Sequence, residues 1–392
     1  MRALVVAPQP FFSPRGTPFS IYYRALVLAG QGVECDILTY GSGQDVDLPG
    51  VRVKRIPRLR FLEPIPVGPS WRKLFLDFFM VIWTIALLLW HRYRIVFAHE
   101  EAAFWCRFLK PLFGYKLVYE MHSNLSQQLT NFRFTKSRSL IGIFKSLQDS
   151  ALKAADAVVT VCPDLRNYAS EIGVPANQHV MIENSIFDDV LLRNPADSGD
   201  LPDDGRIVDF GPGRRVIGYA GTFEVYQGLE MLLHAFAQVN REVPTARLLL
   251  VGGTAGQVAK LAHLADSLRL GGACHFTGTV SKQAASRLMK SVDVLVSPRI
   301  YGTNTPLKIY ENLSTGLPIV ATRIWSHTQV LNESVCFLVE PDAASLAGGL
   351  LEALTDEARA KERAHNARVL YESEYARPVY ERKVRRLLEL VS

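Results

Sequence analysis

The sequence predicts an α/β protein with two doubly wound domains, each built from a parallel β-sheet with helices on both faces. Three observations predict this fold. The length of 392 residues fits two domains of ordinary size. Short apolar runs alternate with helical segments in both halves of the chain. A stretch rich in Pro, Gly, Asp and Ser, residues 195–212, separates the halves and is typical of a linker or surface loop.

The first half contains short apolar runs that favour buried strands, with helical stretches between them. The predicted strands are Ala3–Ala7, Glu34–Thr39, Arg52–Ile56, Ile95–Ala98, Lys116–Tyr119 and Ala157–Val161. The predicted helices are Phe19–Gly30, Arg72–Trp90 and Leu140–Ala154. This half is expected to form a first domain over residues 1–195.

The second half repeats the alternation over residues 196–375, which we expect to form a second domain. Its predicted strands are Arg215–Ala220, Arg247–Val251, Cys274–Thr277, Val292–Ser297 and Pro318–Ala321. Its predicted helices are Leu229–Val243, Gln257–Leu268, Lys282–Ser291 and Pro306–Thr315, followed by helices rich in Ala, Glu and Arg. In such sheets a ligand is expected at the carboxyl ends of the strands.

The net charge of +6 suits anionic partners such as nucleotides, phosphates or an anionic membrane. There is no lysine tract or aromatic RNA-binding motif, so nucleic acid is not expected as a partner. The five cysteines lack a C-x-x-C spacing, which argues against a disulfide framework or a zinc site and favours a reducing cytoplasm. The apolar run at the N-terminus is too short for a signal peptide and predicts a strand instead.

The segment Leu74–Trp90 is nearly continuous apolar sequence, with Arg72 and Lys73 before it and His91, Arg92 and Arg94 after it. Three interpretations remain open. A helix buried in the α/β layer is favoured over a helix lying on an anionic membrane surface, and a membrane span is the least favoured. A span would divide one continuous α/β domain in two.

The second half also carries a series of motifs in a fixed order. Gly221-Thr222 follows a predicted strand, and Phe276-Thr277-Gly278 follows another. Ser297-Pro298-Arg299 ends a third strand, and Thr305-Pro306-Leu307-Lys308 leads into the helix that contains Glu311. Together these motifs resemble the family-4 retaining glycosyltransferases of the GT-B architecture. The first half resembles the same family more loosely. The resemblance implies two Rossmann-like domains facing across a cleft, with the last helix, about residues 376–392, packing back on the first domain.

The same segment suits a sugar nucleotide on physical grounds. Arg299 can offer a planar fork of donors to a pyrophosphate, and Lys308 lies in the first turn of a helix whose amino end attracts anions. A carboxylate at Glu311 can accept both ribose hydroxyls, which is the role that the resemblance implies. Gly221 lets the backbone approach a phosphate closely.

Three positions depart from the family pattern. Many relatives carry a glutamate where this chain has Thr303, and basic residues where it has Thr222 and Gln227. Two phosphate-binding cations are therefore missing, and Arg299 and Lys308 are the obvious replacements in charge. Contact with the donor sugar would then use the backbone and hydroxyl groups of Thr303, Asn304 and Thr305.

The first half supplies acceptor-side candidates. The resemblance implies that His122, which ends a strand, hydrogen-bonds to the donor sugar or to developing charge. His99 and Glu100 end another strand and are either acceptor contacts or ordinary polar loop. Arg15, Gly16 and Thr17 follow the first strand and border the acceptor in the family. His99, Glu100 and His122 match no metal-binding spacing, so no metal site is expected.

These expectations define a function. The resemblance implies transfer of a sugar from a UDP- or GDP-linked donor to an acceptor hydroxyl, with retention at the anomeric carbon and without a metal ion or a cofactor. His122, Arg299 and Lys308 are the expected catalytic residues. A lipid-linked or envelope glycan is the expected acceptor, and the expected location is the cytoplasm or the cytoplasmic face of the inner membrane, as in bacterial polysaccharide synthesis. The alternatives are a nucleotide-sugar epimerase of the same fold and a catalytically silent, membrane-associated sugar-binding scaffold.

Overall fold

A computed structural model of the chain describes residues 1–12, 16–66, 68, 70–125, 129, 137–184 and 210–392. The chain divides into two compact units. The first contains residues 1–184 together with Arg377–Ser392, and the second contains residues 185–376. The domain boundary predicted at residue 195 lies outside the described residues. Each unit contains one parallel sheet, so the predicted α/β class with two Rossmann-like sheets is confirmed.

The first unit is a parallel sheet in the order β3-β2-β1-β4-β5-β6-β7. The chain order reverses between β1 and β4, so the carboxyl ends of these strands flank the point where ligands bind in such sheets. The strands are β1 Arg2–Ala7, β2 Glu34–Thr39, β3 Val51–Arg55, β4 Ile95–His99, β5 Lys116–Met121, β6 Ala157–Thr160 and β7 His179–Met181. The helices are α1 Gly16–Gly30, α2 Trp71–Trp90, α3 Ala102–Phe113, α4 Arg138–Ala154 and α5 Pro163–Glu171.

The strands of the first unit are buried on both faces, as expected of a parallel sheet covered by helices on each side. Their side chains form much of the core of this unit. One face packs against α2, α3 and α4 through side chains such as Met80, Cys106 and Ala151. The first unit also includes the last helix of the chain, Arg377–Val391, which contacts α1, β5, β6 and β7.

The second unit is a parallel sheet in the order β10-β9-β8-β11-β12-β13. Its strands are β8 Arg215–Ala220, β9 Ala246–Val251, β10 Cys274–Gly278, β11 Val294–Ser297, β12 Ile319–Thr322 and β13 Phe337–Val339. Its helices are α6 Leu229–Glu242, α7 Ala255–Ser267, α8 Lys282–Lys290, α9 Leu307–Thr315, α10 Trp325–Thr328, α11 Ala343–Thr355 and α12 Glu357–Leu370. The helix at Arg377–Val391 is therefore α13. The chain order reverses between β8 and β11.

Several details differ from the sequence predictions, among them the start of α9 and the presence of α3. The helix α9 begins at Leu307, and Pro306 is the extended residue just before it, with φ of −66° and ψ of 139°. Pro306 therefore does not occupy the first helical position. The helix α3 was not predicted, and Pro111 lies inside it.

The apolar helix α2 has two different faces. Its buried side chains are Leu76, Asp77, Met80, Thr84, Leu87 and Leu88. Its most exposed large apolar side chains are Trp71, Phe75, Phe78, Ile82, Leu89 and Trp90. Within the described residues it is the helix long and apolar enough to cross a membrane, judged by length and composition only, and just 28% of its most apolar window is buried. The interpretation favoured from the sequence, a helix buried in the α/β layer, therefore describes only one face of α2.

Candidate functional site

The candidate site in the second unit forms where β8 and β11 lie side by side. Gly221 follows the end of β8, and Arg299 lies two residues after the end of β11. The adjacent pairing of these strands brings the two segments together, although 78 positions separate them in the chain. The helix α9 then begins at Leu307 beside both.

A glycine allows the loop after β8 to lie directly against the loop after β11. Gly228 has a φ of 73°, and a Cβ built on it would lie 2.0 Å from the carbonyl oxygen of Pro298. Gly221, with a φ of 151°, plays a similar role, because a Cβ there would lie 3.1 Å from the Lys308 ammonium. Only glycine permits both the conformation and the close approach.

The ammonium of Lys308 lies beneath this glycine loop. It donates a hydrogen bond of 3.0 Å to Oε1 of Gln227 and lies 4.0 Å from the centre of the Tyr219 ring. Burial, aided by the nearby Arg299, lowers the pKa of Lys308 to about 7. No carboxylate forms an ion pair with this lysine among the described residues. The site therefore holds a desolvated amine whose contacts with Gln227 and Tyr219 leave its charge without a carboxylate partner among the described residues.

The guanidinium of Arg299 completes the basic part of the site. It donates to the carbonyl oxygen of Tyr301 at 2.9 Å and to that of Asn304 at 3.3 Å, and it lies 5.0 Å from the Tyr226 ring centre. Burial lowers the pKa of Arg299 below its ordinary value. Its hydrogen-bond partners are neutral carbonyl oxygens, and no carboxylate among the described residues balances its charge.

Glu311 is not free in this structure. Both of its carboxylate oxygens accept from Nζ of Lys282 at 2.5 Å. The sequence prediction gave Glu311 the ribose hydroxyls but did not identify Lys282 as its partner. A ribose bound there would share the Glu311 carboxylate with Lys282. The lysine holds the two carboxylate oxygens in place, and each oxygen can still accept a second hydrogen bond.

The turn between Arg299 and α9 presents backbone and hydroxyl groups. The carbonyl of Thr303 accepts from Gln329 at 2.6 Å, so this group is occupied. The hydroxyl oxygen of Thr305 is buried and has no hydrogen-bond partner among the described residues. Ile309 donates its N–H to the carbonyl of Pro306, so this amide is not available to a ligand. The N–H groups of Leu307 and Lys308 remain in the first turn.

The remaining donor-side candidates lie at strand ends. Thr222 is exposed; its carbonyl accepts from the Tyr219 hydroxyl at 2.7 Å, and its hydroxyl accepts from Gln227 at 3.4 Å. Thr277, the penultimate residue of β10, donates to the carbonyl of Gly278 at 2.8 Å. Thr222 thus lies next to Gln227, the partner of Lys308, whereas the hydroxyl of Thr277 is used within its own strand end.

Behind Arg299, the imidazole of His327 contacts residues at the ends of two neighbouring strands. It lies 3.0 Å from the Ser297 hydroxyl and 2.8 Å from the Thr322 carbonyl, and the Thr322 hydroxyl donates to the Arg299 carbonyl. Burial lowers the pKa of His327 to about 4, so the ring is neutral at neutral pH. The ring ties the ends of β11 and β12 together beneath the basic site.

The candidate site in the first unit lies at the ends of β4 and β5. His99 and Glu120 are paired residues on these neighbouring strands. Nδ1 of His99 lies 3.0 Å from Nε2 of His122, and the two rings are nearly parallel, with an interplanar angle of 19°. Arg24 of α1 reaches Glu120 at 3.5 Å. His99 and His122 are therefore brought together, as part of a cluster that includes two residues not predicted from the sequence.

The charges in this cluster are strongly constrained. Burial lowers the pKa of His99 to about 3, so it is neutral at neutral pH. Burial alone would raise the pKa of Glu120, but Arg24 and the adjacent imidazoles outweigh that effect and hold it below the ordinary range. The cluster therefore contains one buried ion pair, Arg24 with Glu120, and a neutral His99.

Glu100 is separate from this cluster. Its backbone has a positive φ of 50°, and its carboxylate accepts from the Ser123 hydroxyl at 2.8 Å. Burial, together with the neighbouring Glu101, raises the pKa of Glu100 to about 8. At neutral pH this carboxyl is largely protonated and can itself donate a hydrogen bond.

A metal ion is conceivable in one place by geometry. One ligand atom from each of His99, Glu120 and His122 lies within 4.8 Å of the others. The set uses Glu120 where the sequence had suggested Glu100. Arg24 already supplies a positive charge to Glu120, and the imidazoles are in hydrogen-bonding contact with each other. The charge balance of the cluster is thus complete without an ion.

The loop before α1 is only partly described. Arg15 lies outside the described residues. Gly16 begins α1, and Thr17 follows in its first turn as a partly exposed residue. The predicted acceptor role of this loop stays a prediction.

The structure also identifies neighbours that the sequence did not single out. These are Tyr219, Tyr226 and Lys282 in the second unit, and Arg24, Glu120 and Tyr380 in the first. Most of them are separated by many positions from the residue that they contact, and three are tyrosines, which occur throughout the chain. No local motif marks them.

Two family models match the chain in the same two parts. The model described as "Glycosyl transferase 4-like domain" matches residues 22–185, and "Glycosyl transferases group 1" matches residues 214–356. Together they span most of the sequence and both units. The chain belongs to the family-4 glycosyltransferases of the GT-B architecture.

Curated relatives of this glycosyltransferase are distant. The phosphatidyl-myo-inositol mannosyltransferase of Mycobacterium tuberculosis is 28% identical over 179 residues, which cover 43% of this chain and 46% of the relative. The enzyme of the same name from Mycolicibacterium smegmatis is 26% identical over 188 residues, or 45% of this chain and 48% of the relative. The chain thus matches about half the length of these relatives.

Solved structures share the fold over the whole glycosyltransferase. Sucrose-phosphate synthase from Thermosynechococcus elongatus has a TM-score of 0.74 at 20% identity, covering 99% of this chain and 98% of the other. HepE of Anabaena, solved with UDP and glucose, has a TM-score of 0.69 at 17% identity, covering 99% of each chain. At such identities the likeness establishes the GT-B fold.

Proposed function

We propose that this protein transfers a sugar from a nucleoside diphosphate sugar to an acceptor hydroxyl, with retention at the anomeric carbon. One observation carries the proposal. The Lys308 ammonium and the Arg299 guanidinium lie at the carboxyl ends of the β8–β11 region and have neutral hydrogen-bond partners only among the described residues. Two desolvated cations beside the amino end of a helix suit a bound pyrophosphate.

The chemistry follows from the charge that develops. As the bond between the anomeric carbon and the phosphate oxygen breaks, negative charge grows on the leaving diphosphate. Arg299, Lys308 and the free N–H groups at the start of α9 stabilise that charge. Retention by a front-face route, in which the leaving phosphate assists deprotonation of the acceptor, needs no carboxylate nucleophile. His122 contributes a hydrogen bond to the sugar or to the developing charge.

The donor is proposed to be UDP- or GDP-linked. Glu311 holds the ribose hydroxyls, and the Thr305 hydroxyl, which lacks a partner among the described residues, contacts the donor sugar. HepE of Anabaena was solved with UDP-glucose, and its fold matches this chain. Because Arg299 and Lys308 supply the positive charge, we expect no metal ion or organic cofactor to take part.

The test is substitution of the two cations. Arg299→Ala and Lys308→Ala should each lower kcat/KM by about 10²–10³-fold in a nucleotide-release assay against a panel of sugar nucleotides. Lys260→Ala is the matched control, because Lys260 lies on an exposed surface and pairs with Glu230. Turnover that survives both alanine substitutions would sink the proposal. Donor binding without any turnover by the unaltered protein would favour the silent scaffold instead, and interconversion of the donor sugar would favour the epimerase.

We further propose that the acceptor is lipid-linked and that the protein works as a peripheral protein on the cytoplasmic face of the membrane. The support is the outer face of α2. Residues Phe75, Phe78 and Ile82 recur at helical spacing and are 47%, 62% and 42% exposed. The exposed Arg72 and Arg92 flank this face. An apolar stripe with basic flanks suits anionic lipid headgroups over an acyl layer.

Vesicle sedimentation tests the membrane proposal. The protein should bind vesicles of phosphatidylglycerol and phosphatidylcholine, and bind less at high salt or to phosphatidylcholine alone. Phe75→Gln with Phe78→Gln should abolish binding. The matched control is Ile143→Gln with Val369→Gln, which changes two apolar side chains of similar exposure elsewhere. Equal binding by both double variants would contradict the assignment to α2.

A further inference from the structure

A series of buried hydrogen bonds passes through the imidazole of His327 and ends at the backbone of Arg299. Nε2 of the ring lies 3.0 Å from the Ser297 hydroxyl, and Nδ1 lies 2.8 Å from the Thr322 carbonyl oxygen. The Thr322 hydroxyl donates to the Arg299 carbonyl. Ser297, Thr322 and His327 are all fully buried. These contacts connect the short helix α10 to the residue that brings a guanidinium into the donor site.

We propose that His327 is a positioning residue of the donor site: with its proton on Nδ1, the ring directs the Thr322 hydroxyl to the Arg299 carbonyl and so fixes the backbone from which the guanidinium reaches the diphosphate. This inference rests on the proposed function for the role of Arg299. The position of the proton is a property of the unliganded protein.

The contacts of the ring determine which nitrogen carries the proton. A carbonyl oxygen only accepts hydrogen bonds, so Nδ1 carries the proton and donates it to the Thr322 carbonyl. A neutral ring has one N–H, so Nε2 is an acceptor and takes the hydrogen of the Ser297 hydroxyl. The opposite tautomer would place two acceptors 2.8 Å apart. Only the Nδ1 tautomer gives both ring nitrogens of His327 a suitable partner.

The ring is neutral because its surroundings disfavour a positive charge. Burial lowers the pKa of His327 to about 4, and the cations of Lys308 and Arg299 act in the same direction. The Thr322 carbonyl favours the charged form of the ring but does not outweigh these effects. At neutral pH the ring therefore keeps a single proton.

The tautomer also fixes the direction of the Thr322 hydroxyl. Its oxygen lies 3.2 Å from Nδ1 of His327, but a protonated Nδ1 cannot accept a hydrogen bond. The hydroxyl hydrogen is therefore left for the Arg299 carbonyl, since the Ser297 carbonyl is farther away at 3.5 Å. In the opposite tautomer, a bare Nδ1 would compete for that hydrogen.

The same short segment also supports the turn that follows Arg299. Gln329 comes directly after α10, and its side-chain amide donates to the Thr303 carbonyl at 2.6 Å. The Arg299 guanidinium donates to the carbonyls of Tyr301 and Asn304 within this turn. The guanidinium is thus held inside the turn while its backbone is held from behind. Loss of the contact at the Arg299 carbonyl would displace the cation relative to the diphosphate.

Nitrogen-15 NMR of the full chain, labelled at histidine, tests the position of the proton. The ring signals of His327 are assigned by their loss in His327→Asn and by their shift in Ser297→Ala. They should report a protonated Nδ1 and a bare Nε2 at neutral pH in the unaltered, unliganded protein. A ring of His327 that is protonated on Nε2 would overturn the proposal.

A matched pair of substitutions at residue 322 tests the link to Arg299. Thr322→Val keeps the backbone carbonyl and the shape of the side chain but removes the hydroxyl. It should lower kcat/KM by about 10–100-fold in the nucleotide-release assay, because the cation is displaced. Thr322→Ser keeps the hydroxyl and should recover most of that loss. Equal kcat/KM for the valine and serine variants would refute a role for the hydroxyl.

A double-mutant cycle separates positioning from support of the fold. Because the Thr322 hydroxyl acts through Arg299, Thr322→Val should cause no further loss of kcat/KM in a protein that already carries Arg299→Ala. A hydroxyl that only stabilises the fold would lower kcat/KM by the same factor in both backgrounds, and that result would count against positioning. Failure of the sugar-transfer proposal would instead appear as unchanged turnover in Arg299→Ala, with the NMR signature of His327 intact.

Discussion

At the residue scale, the chemistry of the second unit centres on an amine that has lost much of its water. Among the described residues, the Lys308 ammonium has an amide oxygen as its hydrogen-bond partner and an aromatic ring beside it, and both are weaker partners for an ammonium than a carboxylate. Basic side chains at positions 222 and 227, which the family resemblance leads us to expect, would add further positive charge near it. Thr222 and Gln227 avoid that repulsion, and Gln227 uses its oxygen to solvate the ammonium.

This arrangement predicts that donor binding takes up a proton. The pKa of Lys308 is lowered to about 7 from 10.5, so the lysine is largely neutral at pH 8 in the unliganded protein. A bound pyrophosphate favours the charged form and raises that pKa. Titration calorimetry at pH 8 in buffers of different ionisation enthalpy should therefore show uptake of close to one proton per nucleotide sugar.

Lys308→Arg is the control, because an arginine keeps the charge and does not titrate in this range. Its proton uptake should fall close to zero. Equal uptake by the two proteins would show that another group is responsible.

The same lowered pKa of Lys308 also affects stability, because the unfolded chain binds the proton more tightly than the folded protein does. Burying the charged Lys308 lowers the free energy of unfolding by its full amount below pH 7. That destabilisation disappears as the pH rises from about 7 to 10.5.

At the element scale, α2 is held to the sheet by polar as well as apolar contacts. The hydroxyl of Tyr40, which follows β2, donates to the Asp77 carboxylate at 2.5 Å. One turn earlier, Lys73 pairs with Glu101 at 2.9 Å, and the Ser70 hydroxyl accepts from the N–H of Lys73 at the start of the helix. These contacts fix the rotation of α2 about its axis, so that the stripe of exposed aromatic side chains faces outward.

The buried carboxyl of Asp77 predicts a stabilising substitution. Burial, together with Glu101, raises the pKa of Asp77 well above 3.8. The folded state therefore keeps a proton that the unfolded chain releases, and stability falls as the pH rises above about 4. Asp77→Asn cannot ionise, so it should be more stable than the unaltered protein at pH 7 and about equal to it near pH 3.

Denaturant unfolding of the first unit at pH 3 and pH 7 measures this difference. Asp77→Ala serves as the comparison, because it also removes the charge but leaves the Tyr40 hydroxyl without its acceptor. That variant should lose about 1–3 kcal/mol of stability. An asparagine variant that is less stable than the unaltered protein at pH 7 would show that Asp77 is ionised in the fold.

At the scale of the whole molecule, the first unit is completed by the last helix. Val384 and Leu387 of α13 are fully buried, and Tyr380 contacts Arg24. Lys383 also forms an ion pair with Glu183 at 2.7 Å. The buried network at His122 thus depends on side chains from both ends of the chain.

Adjacent residues of α13 allow a matched test of this dependence. Leu387→Asp places a charge in the core and should unfold the first unit or destabilise it by more than about 3 kcal/mol. Arg386→Asp changes an exposed neighbour and should alter stability by about 0.5 kcal/mol or less. Hydrogen exchange read by mass spectrometry should show the loss of protection in residues 1–184 and not in residues 210–376. Uniform loss in both units would contradict this division.

The fold was readable from the sequence to a large extent, because buried parallel strands are continuous apolar runs with few alternatives. The runs at β1, β4, β8 and β9 were each predicted to within a residue or two. The site was readable only in part. Arg299 and Lys308 belong to a local motif, but Gln227 lies 81 residues from Lys308 and Tyr380 lies 356 residues from Arg24. Contacts at such separations depend on how the strands are ordered, which no local pattern records.

The return of α13 to the first unit also sets the rules for recombining this protein with its relatives. The second unit is an insertion between residue 184 and Arg377, because the chain enters and leaves it while the first unit is still incomplete. A chimaera that exchanges the second unit therefore needs two junctions. A single fusion point near residue 190 would import a foreign α13, and the hydroxyl that holds Arg24 would then come from a helix that did not evolve against this sheet.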